Sequence, residues 1–333
     1  MASLKETKTH IGSVKSTLKI TSAMKLVAAA KLHRAQQAVE NIRPYAARLS
    51  EILSDIPAVS TIYNNTRASV SRVAIVAFAS NSSLCGGFNA NALRLVLETI
   101  DAYRAAGIED ITVFSIGRKL SDALKKVGYP SPVIPSDSSV IPSEAKESIS
   151  LSALSEHPSY PDACHLADAL AAAFADGTYD RIDLVYNHFF STASQKPVRS
   201  SFLPLADSFV AAAPQNDKVV IPSDSSVIPS ASSVIPSASS VIPSEAKEST
   251  PDYLIEPSAP AAYAALLPQV IRLSLYTALL DSAAAEHAAR TIAMQTATDN
   301  AEDLLDELTL EYNKARQQKI TAEILDIVGG SMQ

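Results

Sequence analysis

Ser13-Val-Lys-Ser-Thr-Leu-Lys-Ile-Thr-Ser-Ala-Met-Lys-Leu-Val-Ala-Ala-Ala-Lys-Leu32 is written in steps of three and four. Followed outward, the walk visits Leu4, Thr7, Ile11, Val14, Leu18, Thr21, Lys25, Ala28, Leu32, Ala35, Val39, Ile42, Ala46, Leu49, Leu53 and Ile56. Thirteen of these sixteen positions are apolar, a seam held over about seven heptads and therefore the pattern of a coiled coil. Pro44 falls inside it and lacks a backbone donor, so a bend is expected there rather than a stop.

The other end of the chain repeats the pattern. Tyr263, Leu266, Val270, Leu273, Thr277, Leu280, Ala284, His287, Thr291, Met294, Thr298, Ala301, Leu305, Leu308, Tyr312 and Ala315 form a second walk, apolar at twelve of sixteen positions. Beyond Ala315 the register would put Lys319 and Asp326 on the seam while Ile320, Ile324 and Ile327 leave it, which reads as a break in phase. Ser258 before Pro260 has the form of an N-terminal cap with proline in the first turn.

Charge favours pairing the two ends with each other. Residues 1–56 hold nine Lys/Arg against four Asp/Glu, net +5; residues 263–333 hold five against ten, net -5. Opposite signs favour association of the two helices and disfavour self-association of either. With a whole domain between them, the antiparallel pairing is the simpler geometry. Their lengths would be about 80 and 100 Å.

Between the ends the period changes. Arg72-Val-Ala-Ile-Val-Ala-Phe78 is a buried-strand run, followed by a turn and a helix over 89–106. A strand over 110–116, a helix over 117–127, a helix over 166–175 and strands over 181–189 and 196–203 follow. The order predicts an open α/β sheet. The division is thus a first shaft helix (1–57), a Rossmann-like α/β domain (70–257) and a second shaft helix (258–333). Two low-complexity inserts interrupt the middle, at 133–148 and 220–249. The first reads VIPSDSSVIPSEAKES and returns at 234–249 with one difference, Asp137 against Ala238. Proline every seventh residue forbids a helix and the serines offer little to bury, so both inserts are expected to be tolerated additions.

Composition removes several classes of function. The 333 residues are 47% hydrophobic and carry a net charge of -7, against a nucleic-acid binder working through overall basicity. Two cysteines, Cys85 and Cys164, exclude a disulfide scaffold or a thiolate zinc cluster. The six histidines show no metal-binding spacing, so no metal is expected. Residues 73–93 carry no charge, but Asn81, Ser82, Ser83, Asn89 and Asn91 argue against a membrane span. The turn Ser80-Asn-Ser-Ser-Leu-Cys-Gly-Gly-Phe-Asn89 stands where phosphate loops stand, yet it matches neither glycine-rich fingerprint. No cofactor and no catalytic residue is predicted.

Residues 13–32 resemble the N-terminal helix of the gamma subunit of rotary F-type ATP synthase. Ala297-Thr-Asp-Asn300 and Leu308-Thr-Leu-Glu-Tyr-Asn-Lys-Ala-Arg-Gln317 resemble that family's C-terminal helix. Leu84-Cys-Gly-Gly-Phe-Asn89, Val185-Tyr-Asn187 and Asp252-Tyr-Leu-Ile-Glu-Pro257 fall between them in the family's order. With no visible transit peptide, and inserts lacking the paired cysteines of the chloroplast version, the resemblance is to the bacterial type.

The resemblance implies an antiparallel shaft inside a hexamer of alpha and beta subunits, with the α/β domain as a foot beside the epsilon subunit and the c-subunit ring. It implies a non-catalytic rotor coupling ion flow to ATP synthesis on beta, peripheral to the cytoplasmic face of the bacterial inner membrane and not inserted in it. Carried over by position, Arg316 and Gln317 match residues that engage a loop of beta, with Thr321 one turn on, and Met24 matches a position facing beta's lever region. Tyr253 and Glu256 match the contact with the c ring and epsilon. The chain departs from the family at Asn81, Ser82 and Ser83, where Asp-Arg-Gly is frequent, and at Ile255, where an aromatic is frequent. Two other readings compete: a nucleotide-dependent enzyme with a coiled-coil dimerisation arm, and a structural tether.

Overall fold

The computed structural model describes residues 4–56, 63, 70–129, 151–205 and 255–331. Two long helices, α1 (Leu4–Asp55) and α6 (Ala259–Ser331), lie antiparallel. All sixteen positions of each walk are buried or half-buried, so the seam read from the sequence is the seam of the structure. Two hydrogen bonds fix its register. Thr298 Oγ1 donates to Thr21 Oγ1 at 3.1 Å, and Lys25 Nζ donates to Gln295 Oε1 at 2.6 Å. Pro44 lies within α1, and α6 likewise continues through Pro268. Ser258 caps α6 as expected, its Oγ accepting from the Ala261 amide at 3.4 Å.

The central domain is a four-stranded sheet in the order β2-β1-β3-β4. Strands β1 (Arg72–Phe78), β2 (Asp110–Ile116) and β3 (Arg181–Phe189) are parallel, and β4 (Gln195–Leu203) runs antiparallel to β3 along one edge. Strand β1 is buried on both sides, which is why its sequence is a continuous apolar run rather than an alternation. Ala74, Val76 and Phe78 face α4 (Leu151–Glu156), α5 (Tyr160–Ala175) and α6. Val73, Ile75 and Ala77 face α2 (Phe88–Ala105) and α3 (Arg118–Val127).

Three details differ from the sequence reading. Helix α4 was not anticipated, since six residues are too few to show a period. Helix α5 starts at Tyr160 rather than 166, with proline in its first turn. The change of pattern after Ala315 is not a new packing phase. The interhelix hydrogen bonds place Leu4, the first described residue of α1, level with about residue 315 of α6. Described side chains from Arg316 to Val328 are exposed because none of the described turns of α1 lies beside them. Both inserts lie outside the described residues.

The α/β domain packs on the stretch of α6 from Tyr263 to Ala289. Beyond it about 40 residues of α6 project for about 60 Å, paired with the first half of α1 as far as about residue 315 and with none of the described turns of α1 beside the rest. Among the described residues one helix is apolar and long enough to cross a membrane, the segment Ala259–Leu325 within α6. Half of its most apolar window is buried against α1 and the sheet, as a core helix requires.

Candidate partner surface on the shaft

The rod's surface is apolar where an isolated rod would be polar. Ile20, Met24 and Val27 are exposed and spaced four and three apart, so they line one face of α1 away from the seam. Ile320, Ile324, Leu325 and Ile327 are exposed at the end of α6. Exposed apolar groups gathered on a stripe and a tip mark contact with other proteins.

The expected contact residues occupy separate stations along the rod. Met24 sits level with Gln295 and Thr296, at the stripe. Arg316, Gln317 and Thr321 are exposed about 30 Å further along, at the foot of the apolar tip. Arg316 forms no ion pair among the described residues, and the Thr321 hydroxyl donates back to the Gln317 carbonyl at 2.9 Å. Glu256 is exposed just before α6, about 85 Å from Arg316 by helix length. Tyr253 lies outside the described residues. The sequence patterns did not single out the stripe, although Ile20, Met24 and Val27 stand off the seam where polar residues are usual.

The loop from Ser80 to Gly87 is clasped to the shaft. Arg290 Nη2 donates to Ser82 Oγ at 2.7 Å while its Nη1 pairs with Glu286 at 2.7 Å. The serine thus gives the arginine a neutral contact. Burial pushes the Glu286 carboxyl up, opposed by Arg290. Burial, with Arg290 and Lys31 adding to it, pushes the His287 ring down to about 4. Cys85 is buried, its Sγ 3.2 Å from Asn89 Nδ2, which makes it a packing residue.

In open α/β sheets a ligand crevice lies at the carboxyl ends of the strands. Here α6 crosses that place. Phe78, Ala79 and Ile116 meet Leu279, Ser282, Ala283 and Glu286 around a void of about 10 Å³, at the threshold for one water. The amides opening α3 are also taken: Arg118 N donates to Asn81 Oδ1 and Lys119 N to the Ser80 carbonyl. Gly117 is required at the turn, because a Cβ there would lie 2.2 Å from the Ala79 carbonyl oxygen. Among the described residues no cluster of three or more His, Cys, Asp or Glu could hold a metal.

A family model described as ATP synthase matches residues 3–332. The chain is 44% identical to the ATP synthase gamma chain of Bacteroides thetaiotaomicron, covering all of both chains. It is 37% identical to that of Flavobacterium johnsoniae, covering 99% of this chain and 98% of the relative. Among solved structures, a chain of the Euglena gracilis mitochondrial ATP synthase rotor aligns with a TM-score of 0.56 at 18% identity, over 95% of this chain and 98% of that one. The fold, the length and the sequence agree, and the chain belongs to the gamma-chain family of ATP synthase.

Proposed function

We propose that this chain is the central shaft of a bacterial ATP synthase, turning with the c ring inside a hexamer of alpha and beta subunits. The observation that carries the reading is the 60 Å rod with apolar stations on one stripe and at its tip. A shaft with different faces makes different contacts with three beta subunits at any one angle. Each beta is then biased toward the state it contacts best, so rotation becomes a sequence of binding affinities. Bonds to nucleotide are made and broken on beta; this chain supplies differential contact.

Arg316 and Gln317 are the directional contacts of the upper station, with Thr321 beside them, and Met24 with its stripe is the lower one. Tyr253 and Glu256 face the c ring and epsilon at the foot. The assembly sits on the cytoplasmic face of the inner membrane. The test is reconstitution with alpha and beta and a bead fixed to the foot. ATP should drive rotation of the bead in one direction. A chain that does not co-purify with alpha and beta, or a complex whose bead stays still during ATP hydrolysis, would overturn the reading.

A further inference from the structure

Asp281 is 3% exposed, in the part of α6 that the α/β domain covers, and three elements meet at its carboxylate. His188 of β3 places Nδ1 2.6 Å from Oδ2. Arg43 of α1 donates from Nη2 to Oδ1 at 3.4 Å, and the same Nη2 donates to the Phe189 carbonyl at 3.3 Å. Tyr186 packs edge-on to the His188 ring with centroids 6.3 Å apart, and Phe190 does the same from the other side at 4.6 Å.

The surroundings make this junction informative. The nearby contacts between α1, α6 and the domain are largely small and apolar: Ala35, Ala38, Leu32 and Val39 against Ala284, Ala285 and Ala288. Such contacts hold two helices together without fixing the angle between them, because hydrophobic attraction is not directional. The Arg43 bond to the Phe189 carbonyl reaches from α1 directly into the α/β domain. If α1 turned or slid on the domain, the guanidinium would leave both of its acceptors. A buried carboxylate would then keep a single donor, and removing one partner of a buried charge is costly. Fixing register is the best-attested use of an ion pair set in a packed interface, and this one, with its carboxylate buried and its guanidinium half exposed, has the placement for it.

We propose that Arg43, Asp281 and His188 form a torque joint, locking α1 at one angle on the foot so that rotation of the foot reaches both strands of the shaft. The inference rests on the rotor reading above and adds where force crosses from domain to shaft. His188 and Arg43 act through Asp281 and are positioning residues.

The experiment uses the whole complex in inverted membrane vesicles, with proton pumping and ATP hydrolysis measured on the same preparation. Asp281→Leu removes the acceptor while keeping apolar bulk, so the chain is expected to fold and co-purify with its partners. Protons pumped per ATP hydrolysed should fall at least twofold, with hydrolysis itself largely kept. His188→Ala should also lower the ratio, and His188→Asn should restore it, because its amide nitrogen takes the place of Nδ1. A purely structural role would lower complex content and leave the ratio unchanged. A wild-type ratio in assembled Asp281→Leu complex overturns the joint, as does His188→Asn as poorly coupled as His188→Ala. If Asp281→Leu fails to assemble, the two His188 variants decide. Failure of the wild-type complex to pump at all would overturn the rotor reading instead.

Discussion

His287 stands on the seam of the shaft with its ring held neutral. Its folded pKa, about 4, lies below the ordinary value of 6.5, so the unfolded chain takes up the proton first as pH falls. The stability it contributes is complete above about pH 6.5 and is lost as pH falls toward about 4, on the order of 3 kcal/mol in all. Glu286 runs the other way, since a carboxyl with a raised pKa gains in the fold as it protonates. Urea titration of the full chain across this window should therefore show His287→Gln losing less stability than the wild type. Equal pH dependence in the two proteins would contradict the assignment. Arg316 belongs to the same scale for a different reason. It is exposed and free of ion pairs among the described residues, so Arg316→Ala should leave folding and assembly intact while lowering ATP turnover. A guanidinium shielded against a partner carboxylate contributes roughly 1.5–3 kcal/mol, which is about a tenfold effect or more if it is made in one rotor angle only. Lysine should rescue incompletely, since it keeps charge without the planar fork. Wild-type turnover by Arg316→Ala, in membranes matched for complex content, would return it to a solvated side chain.

At the scale of the element, the end of α6 separates stability from function. Described side chains from Arg316 to Val328 are exposed, so removing residues 319–333 takes almost no buried area from the chain itself. The melting temperature of the isolated chain should move by no more than about 2 °C, given that one kcal/mol shifts a domain of this size by a few degrees. Assembled complexes should lose turnover, because the apolar tip is lost with them. A large fall in melting temperature would show that the tip packs on its own chain. The same element shows what a sequence makes legible. Seam, sheet class and strand limits could be read because burial against the chain's own residues imposes a period, and β1, β2 and β3 span the stretches read as strands. The phase change after Ala315 could be seen but not explained, since its cause is that none of the described turns of α1 lies beside it. Arg316 and Gln317 are proposed through family likeness alone; a surface made for another protein would leave no period in its own sequence. Asp281 was hidden for a third reason: its partners are 93 and 238 positions away.

For the whole molecule, the decisive feature is where the shaft crosses the sheet. A doubly wound sheet with a strand-loop-helix turn ordinarily offers a nucleotide the carboxyl ends of its strands and a free helix N-terminus. In this chain α6 lies across β1 and β2 at that point and leaves a void of about 10 Å³. The amides of Arg118 and Lys119 are already donated to Asn81 and Ser80, and the loop is held down on the shaft by Arg290. The open cleft lined by Asn81, Arg118, Ala153 and Glu156 sets a carboxylate against a phosphate. A nucleotide entering between sheet and shaft would have to lift α6, exposing the apolar contacts of Leu275, Ala278 and Leu279 with Phe78 and Ile116. Uncovering that surface costs about 25 cal/mol per Å², several kcal/mol for a few side chains, against which a phosphate would find no free cradle. The isolated full-length chain should therefore bind ATP more weakly than about 1 mM and hydrolyse none. Titration calorimetry with the purified chain, free of alpha and beta, is the measurement. Micromolar binding that Arg118→Ala abolished would mean that the foot kept the crevice of its fold open, and would revive the enzyme reading. Covering the crevice with the shaft fits a rotor for a further reason: the contact that closes the ligand site is the contact through which foot and shaft turn as one body.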